Sequence, residues 1–331
     1  MFSFHSPSSN RISFWKLFKR SQKAKNWLLS AWNFQKEVKP EKKVSVMEPS
    51  LPKEMTPDLA ELCGIHAGDG YMRCRNENNF ELDISGNIDE KDYYDNHVVP
   101  LFEKTFDIKI KPQFFYPRNT YGFRICKREV CEFIHAMGFP YGKKTLTVEV
   151  PKQILESRNL GIIYRFIRGV FDTDGTLSFK KRGGSGYREF LKKRHTYPTI
   201  KLSVCSKNLR DGVGLLLMKT GFQFAFSQQK KRLGVNEAFT IELEGDQNLL
   251  LWMYNIGFKN PVKSNRYLIW KKYGFNPPYL SFEQQKETLS GKINPHNYYE
   301  EKLSNETEVL PPLAGKRITL MQGLESLIPK D

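Results

Sequence analysis

A chain of 331 residues exceeds the usual span of one hydrophobic core, and with 39% apolar and 13% aromatic residues it is too rich in large side chains for a disordered polymer. Its 52 Lys and Arg outnumber 36 Asp and Glu by 16, an excess that attracts a polyanion, so nucleic acid is the first partner to consider. The five cysteines (Cys63, Cys74, Cys126, Cys131, Cys205) form no CxxC pair, no run reaches the ~18 apolar residues of a membrane helix, and the N-terminus lacks a secretory h-region. A disulfide framework, a zinc site, secretion and a membrane span are therefore disfavoured; the expected compartment is reducing, a prokaryotic cytoplasm or else an organellar matrix.

Residues 1–46 carry ten Lys or Arg against two acids, half of the net excess in a seventh of the chain, with Trp15, Phe18, Trp27 and Trp32 interleaved. Such a segment reads either as a basic amphipathic helix or as a poorly ordered basic tail. Two prolines in 48–52 mark a linker. A helix is predicted from Thr56, which serves as N-cap ahead of Pro57 at the first helical position, with Leu59, Leu62 and Ile65 on one face. Strands follow at 71–75 and 80–85, a helix at 92–106, strands at 109–115 and 121–126, and a helix at 129–137 that ends before Gly138.

The same order returns from Leu160: a helix to Thr173, strands at 176–180 and 199–204, a helix at 209–220, strands at 224–229 and 238–242, and a helix at 247–256. Ser85-Gly86-Asn87 corresponds to Ser206-Lys207-Asn208, and Met137-Gly138-Phe139 to Ile256-Gly257-Phe258. The expected organisation is a basic segment (1–46), a first half (47–150), a second half (151–280) and a C-terminal extension (281–331), each half being αββαββα.

Each half opens with a helix that ends in Asp-Gly: Leu62-Cys63-Gly64-Ile65-His66-Ala67-Gly68-Asp69-Gly70 and Ile167-Arg168-Gly169-Val170-Phe171-Asp172-Thr173-Asp174-Gly175. One Asp-Gly is an ordinary helix stop. Two, 105 residues apart at the same point of a repeat, are a candidate site. Ala60, Gly64 and Gly68 form one small-residue stripe, and Gly169 and Thr173 another, so the two helices can approach closely. Packed in parallel they place Asp69 and Asp174 side by side, facing each other and the negative ends of two helix dipoles. A hard divalent cation, Mg²⁺ above all, would neutralise that cluster and hold phosphate oxygens there.

On these residues the chain resembles the LAGLIDADG (DOD-type) homing endonucleases, the monomeric kind with both motifs in one chain, over about Thr56 to Gly274. The resemblance implies that Asp69 and Asp174 ligate the catalytic metal. It also implies an acid at the sixth motif position, which Asp172 supplies and Ala67 does not. Lys144 and Lys263, each six residues after the matched glycines Gly138 and Gly257, stand where relatives often keep a lysine near the metals; in so basic a chain each reads equally well as an ordinary surface lysine. His66 falls at an apolar position of the motif and is expected in the core or the interface.

Strand alternation puts Tyr71, Arg73 and Arg75 on one face, as it does Ser178, Lys180 and Arg182; Thr199, Lys201 and Ser203; and Gln228, Lys230 and Arg232. These side chains could read base edges in a major groove or could simply be a solvated face. The stretch 180–195, with Lys192, Lys193 and Arg194, reads as an extended basic loop along the DNA backbone.

The expected fold is α+β, a tandem αββαββα duplication with pseudo-twofold symmetry and a β-saddle for DNA. The expected function is metal-assisted, site-specific cleavage of double-stranded DNA by a monomer. An intron RNA maturase and a non-catalytic DNA-binding regulator are the alternatives. Protein splicing is not expected, because the chain opens on Met1 and His296-Asn297 is followed by Tyr298.

Overall fold

The computed structural model describes residues 48–75, 79–230 and 236–303, all within one compact unit that begins at Glu48. The basic segment 1–46, with both of its readings, and Arg232 lie outside the described residues.

The first half runs α1 (Pro57–Asp69), β1 (Gly70–Cys74), β2 (Phe80–Asn87), a helical stretch, β3 (Gln113–Phe115), β4 (Thr120–Ile125) and α4 (Arg128–Ala136). A short α5 (Lys152–Leu155) leads to the second half: α6 (Leu160–Thr173), β5 (Gly175–Lys181), α7 (Glu189–Lys193), β6 (His195–Val204), α8 (Lys207–Lys219), β7 (Ala225–Gln229), β8 (Ala238–Glu244) and α9 (Asp246–Asn255). Beyond it lie α10 (Pro261–Tyr273), α11 (Phe282–Ser290) and α12 (Asn297–Leu303). The two sheets are antiparallel and share one topology, β1-β2-β4-β3 and β5-β6-β8-β7. The fold is thus the expected α+β duplication of an αββαββα unit.

Local chemistry sets the two central helices. Thr56 caps α1 by accepting from the Leu59 N–H at 3.1 Å, and Asn159 caps α6 by accepting from the Gly161 N–H at 2.9 Å. The helices pack in parallel with backbones in contact: a Cβ on Gly64 would lie 2.3 Å from the Phe166 carbonyl, and one on Gly169 would lie 2.3 Å from the Glu61 carbonyl. No side chain larger than hydrogen fits at either crossing. The inner faces of the sheets, Met72, Leu82, Ile84 and Phe123 in one half and Leu177, Leu202, Ile241 and Leu243 in the other, close a single core around this pair.

Beyond the helices α5, α10, α11 and α12, which the sequence reading lacks, and β6, which begins at His195 rather than at 199, three further segments depart from it. The helix expected at 92–106 begins earlier, as a 3₁₀ turn (Ile88–Glu90) and α2 (Lys91–Tyr93), passes through a π turn (Tyr94–Val98) and continues as α3 (Val99–Phe106). Pro100 accounts for the π turn, since it has no N–H for the carbonyl four residues back and its ring crowds that carbonyl. The strand expected at 109–115 shortens to its last three residues. The loop expected over 180–195 is confined to 182–188, flanked by the end of β5 on one side and by the helix α7 and the start of β6 on the other.

All five cysteines are free thiols, and among the described residues no helix is long and apolar enough to cross a membrane.

Candidate active centre and nucleic-acid face

The parallel packing of α1 and α6 brings their C-terminal ends together. A Cβ on Gly68 would meet Thr173 Oγ1 at 2.1 Å and Asp174 Cγ at 3.3 Å, so the last turn of one helix abuts the aspartate that ends the other. Asp69 is half-buried and accepts a 2.7 Å hydrogen bond from the Tyr94 hydroxyl. Burial above all, then the charges of Glu90 and Asp174, push its pKa up to about 7 against the pull of Tyr94 and Lys263. Asp174 is more open to solvent, yet the protein around it also raises its pKa, while Lys144 and Lys263 draw it down.

The two predicted lysines close the helix ends. Lys144 Nζ donates to the carbonyls of Ala67 (2.6 Å) and Gly68 (2.7 Å); Lys263 Nζ donates to the carbonyls of Asp172 and Thr173, the latter at 3.1 Å. These are the same two motif positions in each half. Each lysine neutralises carbonyls that the helix leaves without partners, directly beneath an aspartate. Lys263 is buried, and burial lowers the pKa of Lys144 although Asp174 and Asp69 raise it. Lys263 lies in the first turn of α10, a helix absent from the sequence reading.

The departure at Ala67 has a structural counterpart. In the second half Asp172 Oδ2 accepts from the Lys259 backbone N–H at 2.9 Å. Counted from the matched glycines, the residue equivalent to Lys259 is Pro140, which has no N–H to offer. Burial raises the Asp172 pKa to about 6 even so.

Three further residues belong to the centre. Glu90 Oε1 accepts from Asn260 Nδ2 at 2.6 Å, and the same amide nitrogen reaches the Asp172 carbonyl at 2.8 Å, so Asn260, fully buried, ties the first half's acid to the second half's helix end. Asp69 Oδ2, Glu90 Oε2 and the Tyr94 hydroxyl converge above Gly86, where a Cβ would sit 2.7, 2.9 and 2.9 Å from them. Cross-strand register, with Gly70 opposite Ile84 and Gly175 opposite Leu202, sets Gly86 where the second half has Val204, which corrects the sequence match of Gly86 with Lys207, and nothing in the sequence ties Gly86 to Glu90. His66 lies in the core: it is buried, packs edge-on against Phe139 at 4.7 Å, has no hydrogen-bond partner at either ring nitrogen, and its pKa is pushed down to about 3 by burial.

The donor set suits a hard divalent cation. Two carboxylates meet at two negative helix ends, and burial first, then the charges of Glu90 and Asp174, disfavour the ionised form of Asp69, which a cation would favour. Among the described residues no group of three or more His, Cys, Asp and Glu is arranged to hold a metal.

The open sheet faces carry cations already paired with acids. Arg73 bonds Glu81 at 2.5 Å, Arg124 bonds Glu81 and Asp83 at 3.0 Å each, and Arg118 bonds Asp83 at 2.9 Å. Lys180 bridges Glu242 (2.7 Å) and Glu244 (3.0 Å), and Arg182 bonds Asp246 (3.0 Å) and stacks over Tyr197. Lys201 is exposed, with Glu242 as its cross-strand partner, and Arg75 and Lys230 are exposed just past the ends of β1 and β7. Pairing of Gln228 with Phe239 puts Gln228 on the core side; Ser227 and Gln229 share the face of Lys201, so the expected grouping of Gln228 with the open face is corrected. Lys192 and Lys193 lie on α7, 3.4 and 3.7 Å from Glu189. Arg194 turns inward among Phe190, Phe275 and Tyr299 and contacts His296 Nδ1 at 3.1 Å, binding the C-terminal segment to β6.

The chain matches no family model. It is 28% identical over 212 residues to the replication factor C small subunit of Methanocaldococcus jannaschii, a match that covers 64% of this chain and 10% of that protein. Among solved structures it is similar to the homing endonuclease I-DmoI in complex with DNA and Mn (16% identity, TM-score 0.43, covering 62% of this chain and 98% of that one). It is also similar to the homing endonuclease I-WcaI bound to its DNA recognition sequence (13%, 0.39, 64% and 88%) and to the N-terminal LAGLIDADG domain of WhiA (11%, 0.37, 63% and 87%).

Proposed function

We propose that the protein is a site-specific endonuclease of double-stranded DNA, of the LAGLIDADG homing type, acting as a monomer in which each half serves one strand. The observation that carries this reading is the meeting of Asp69 and Asp174 at two abutting helix ends, each end closed by a lysine on matched carbonyls. Asp69 and Asp174 would hold a divalent metal, Mg²⁺ in the cell, through hard oxygens. Such an ion supplies activation of water and stabilisation of charge on the scissile phosphate. Tyr94 orients the Asp69 carboxylate by donating to it, and Lys144 and Lys263 keep positive charge under both aspartates, where phosphate oxygens would arrive. The paired sheets, with their arginines and lysines outward, would take the duplex on either side of that centre. Free thiols and basic charge fit a reducing compartment that holds DNA.

The test is to select a preferred site from a randomised duplex pool and assay its cleavage with Mg²⁺. Asp69→Asn and Asp174→Asn are each expected to remove cleavage while keeping binding, because carboxylates repel rather than attract phosphate. Full cleavage by either variant would sink the assignment. Selective duplex binding without cleavage by the wild type would mark a regulator, and preference for structured RNA a maturase.

A further inference from the structure

We propose that Glu81 and Asp83 are specificity-setting positioning residues: they fix Arg73, Arg118 and Arg124 as a rigid array for reading base edges of duplex DNA. The inference rests on the DNA-binding reading above. Two carboxylates on the open face of a sheet are an odd choice for a surface that meets a polyanion, since each repels phosphate. They are also almost covered, with side-chain exposures of 9% and 3%, while the arginines above them keep 31%, 45% and 37%. Ser85 Oγ donates to the other oxygen of Asp83 at 2.8 Å. A carboxylate buried this far is tolerated only when it is paired and hydrogen-bonded, so the acids and the arginines hold one another in place.

The geometry is that of a fixed comb. Cross-strand register places Arg73 opposite Glu81 and Arg124 opposite Asp83, so the ion pairs run across three adjacent strands. Arg118 and Arg124 also stack on the ring of Phe115, at 4.6 and 5.3 Å to its centroid, which sets the planes of their guanidinium groups. The bonds to the acids engage Nη2 of each arginine and Nε of Arg124; Nη1 of all three takes no part in them. An arginine whose rotamer is settled in the free protein loses little freedom on binding, and its fork discriminates by direction, donating to the paired acceptors of a guanine edge at one placement and no other. The acids thus lower indiscriminate attraction and sharpen direction at once.

Glu81→Gln and Asp83→Asn in the full chain test this, with Mg²⁺ omitted and the randomised duplex pool as probe. The bound fraction is sequenced, and affinity is measured on the selected duplex and on an unselected one. Both variants are expected to bind the unselected duplex as tightly as the wild type or more tightly, and to lose roughly tenfold or more in preference for the selected one, with the relaxation confined to neighbouring base pairs. A residue with a merely structural role would instead weaken both duplexes together. Equal weakening, or unchanged preference in a variant with wild-type circular dichroism, overturns the proposal. If Asp83→Asn does not fold, Glu81→Gln, at the less buried position, decides. A wild type that enriches no sequence overturns the DNA reading and this inference with it, whereas a selective wild type and equally selective variants overturn the inference alone.

Discussion

Glu61 of α1 and Arg168 of α6 are joined by two parallel N–H···O bonds of 2.8 and 2.7 Å, with the carboxylate wholly buried and shared with Arg165 and His97. The reciprocal positions across the helix pair hold Phe166 and Cys63, so one edge of the interface is ionic and the other apolar. Removing either partner strands a buried charge. Arg168→Ala is expected to cost ~3–5 kcal/mol in denaturant unfolding, and Glu61→Gln with Arg168→Met together to cost less than the separate losses combined. The hydrogen bonds of His97 and Arg168, against burial, hold the Glu61 pKa down to about 2. This contribution is complete above the ordinary glutamate value and is lost as pH falls through 2.

Gly64→Ala and Gly169→Ala are each expected to force the two helices apart, since each new methyl would enter the opposite backbone at 2.3 Å. The cost should reach at least ~2 kcal/mol. Because the Asp69–Asp174 pair rides on those helix ends, cleavage should fall by more than the loss of folded protein accounts for; measuring activity against the folded fraction checks this.

Asp69 acts against stability in the metal-free protein. Its folded pKa is raised to about 7 from an ordinary 3.8, so the folded state gains by binding a proton, and that gain disappears as pH rises through 7. Asp69→Asn should therefore melt higher than the wild type at pH 8, the gap closing towards pH 4. Added Mg²⁺ should raise the wild-type melting temperature and leave that of Asp69→Asn nearly unmoved.

His66 has the opposite sign. With its pKa pushed down to about 3, the unfolded chain takes up a proton on His66 between 6.5 and 3 while the folded protein does not, so acid destabilises the fold across that window. In His66→Leu, which removes two unpartnered buried nitrogens, unfolding free energy should depend less steeply on pH from 6.5 downwards. An unchanged slope would place the acid sensitivity elsewhere.

The duplication and the aspartate pair were legible because they rest on local signals that occur twice: the same order of elements, Gly64 and Gly169 at the crossing, and Asp-Gly at both helix ends. Glu90, Tyr94 and Asn260 were not, because their roles depend on contacts between residues far apart in the chain, and Asn260 reaches Glu90 across 170 positions. The strand faces were read correctly wherever alternation was clean, as at Tyr71 and Arg73. The reading missed that the same face bears acids, since Glu81 and Asp83 come from β2 and meet the arginines only through cross-strand register. At β7 the parity went wrong because polar residues run on both sides from Ser227, leaving no alternation to count.

Asp172 accepts from the Lys259 N–H, while the equivalent positions of the first half hold Ala67 and Pro140, so the residue at each helix end is matched to the composition of its distant loop. A chimera that carried the Lys259 loop into the first half would present an amide N–H to Ala67, which has no side-chain acceptor. The reverse exchange would leave the Asp172 carboxylate facing a proline. The smallest segment that can pass between the two halves without a mismatch therefore spans the motif helix, the whole sheet and the closing loop, which is nearly the entire repeat. The two halves are thus independent of one another on their open faces, whereas at their centre a change at one position calls for a second change in the loop that faces it.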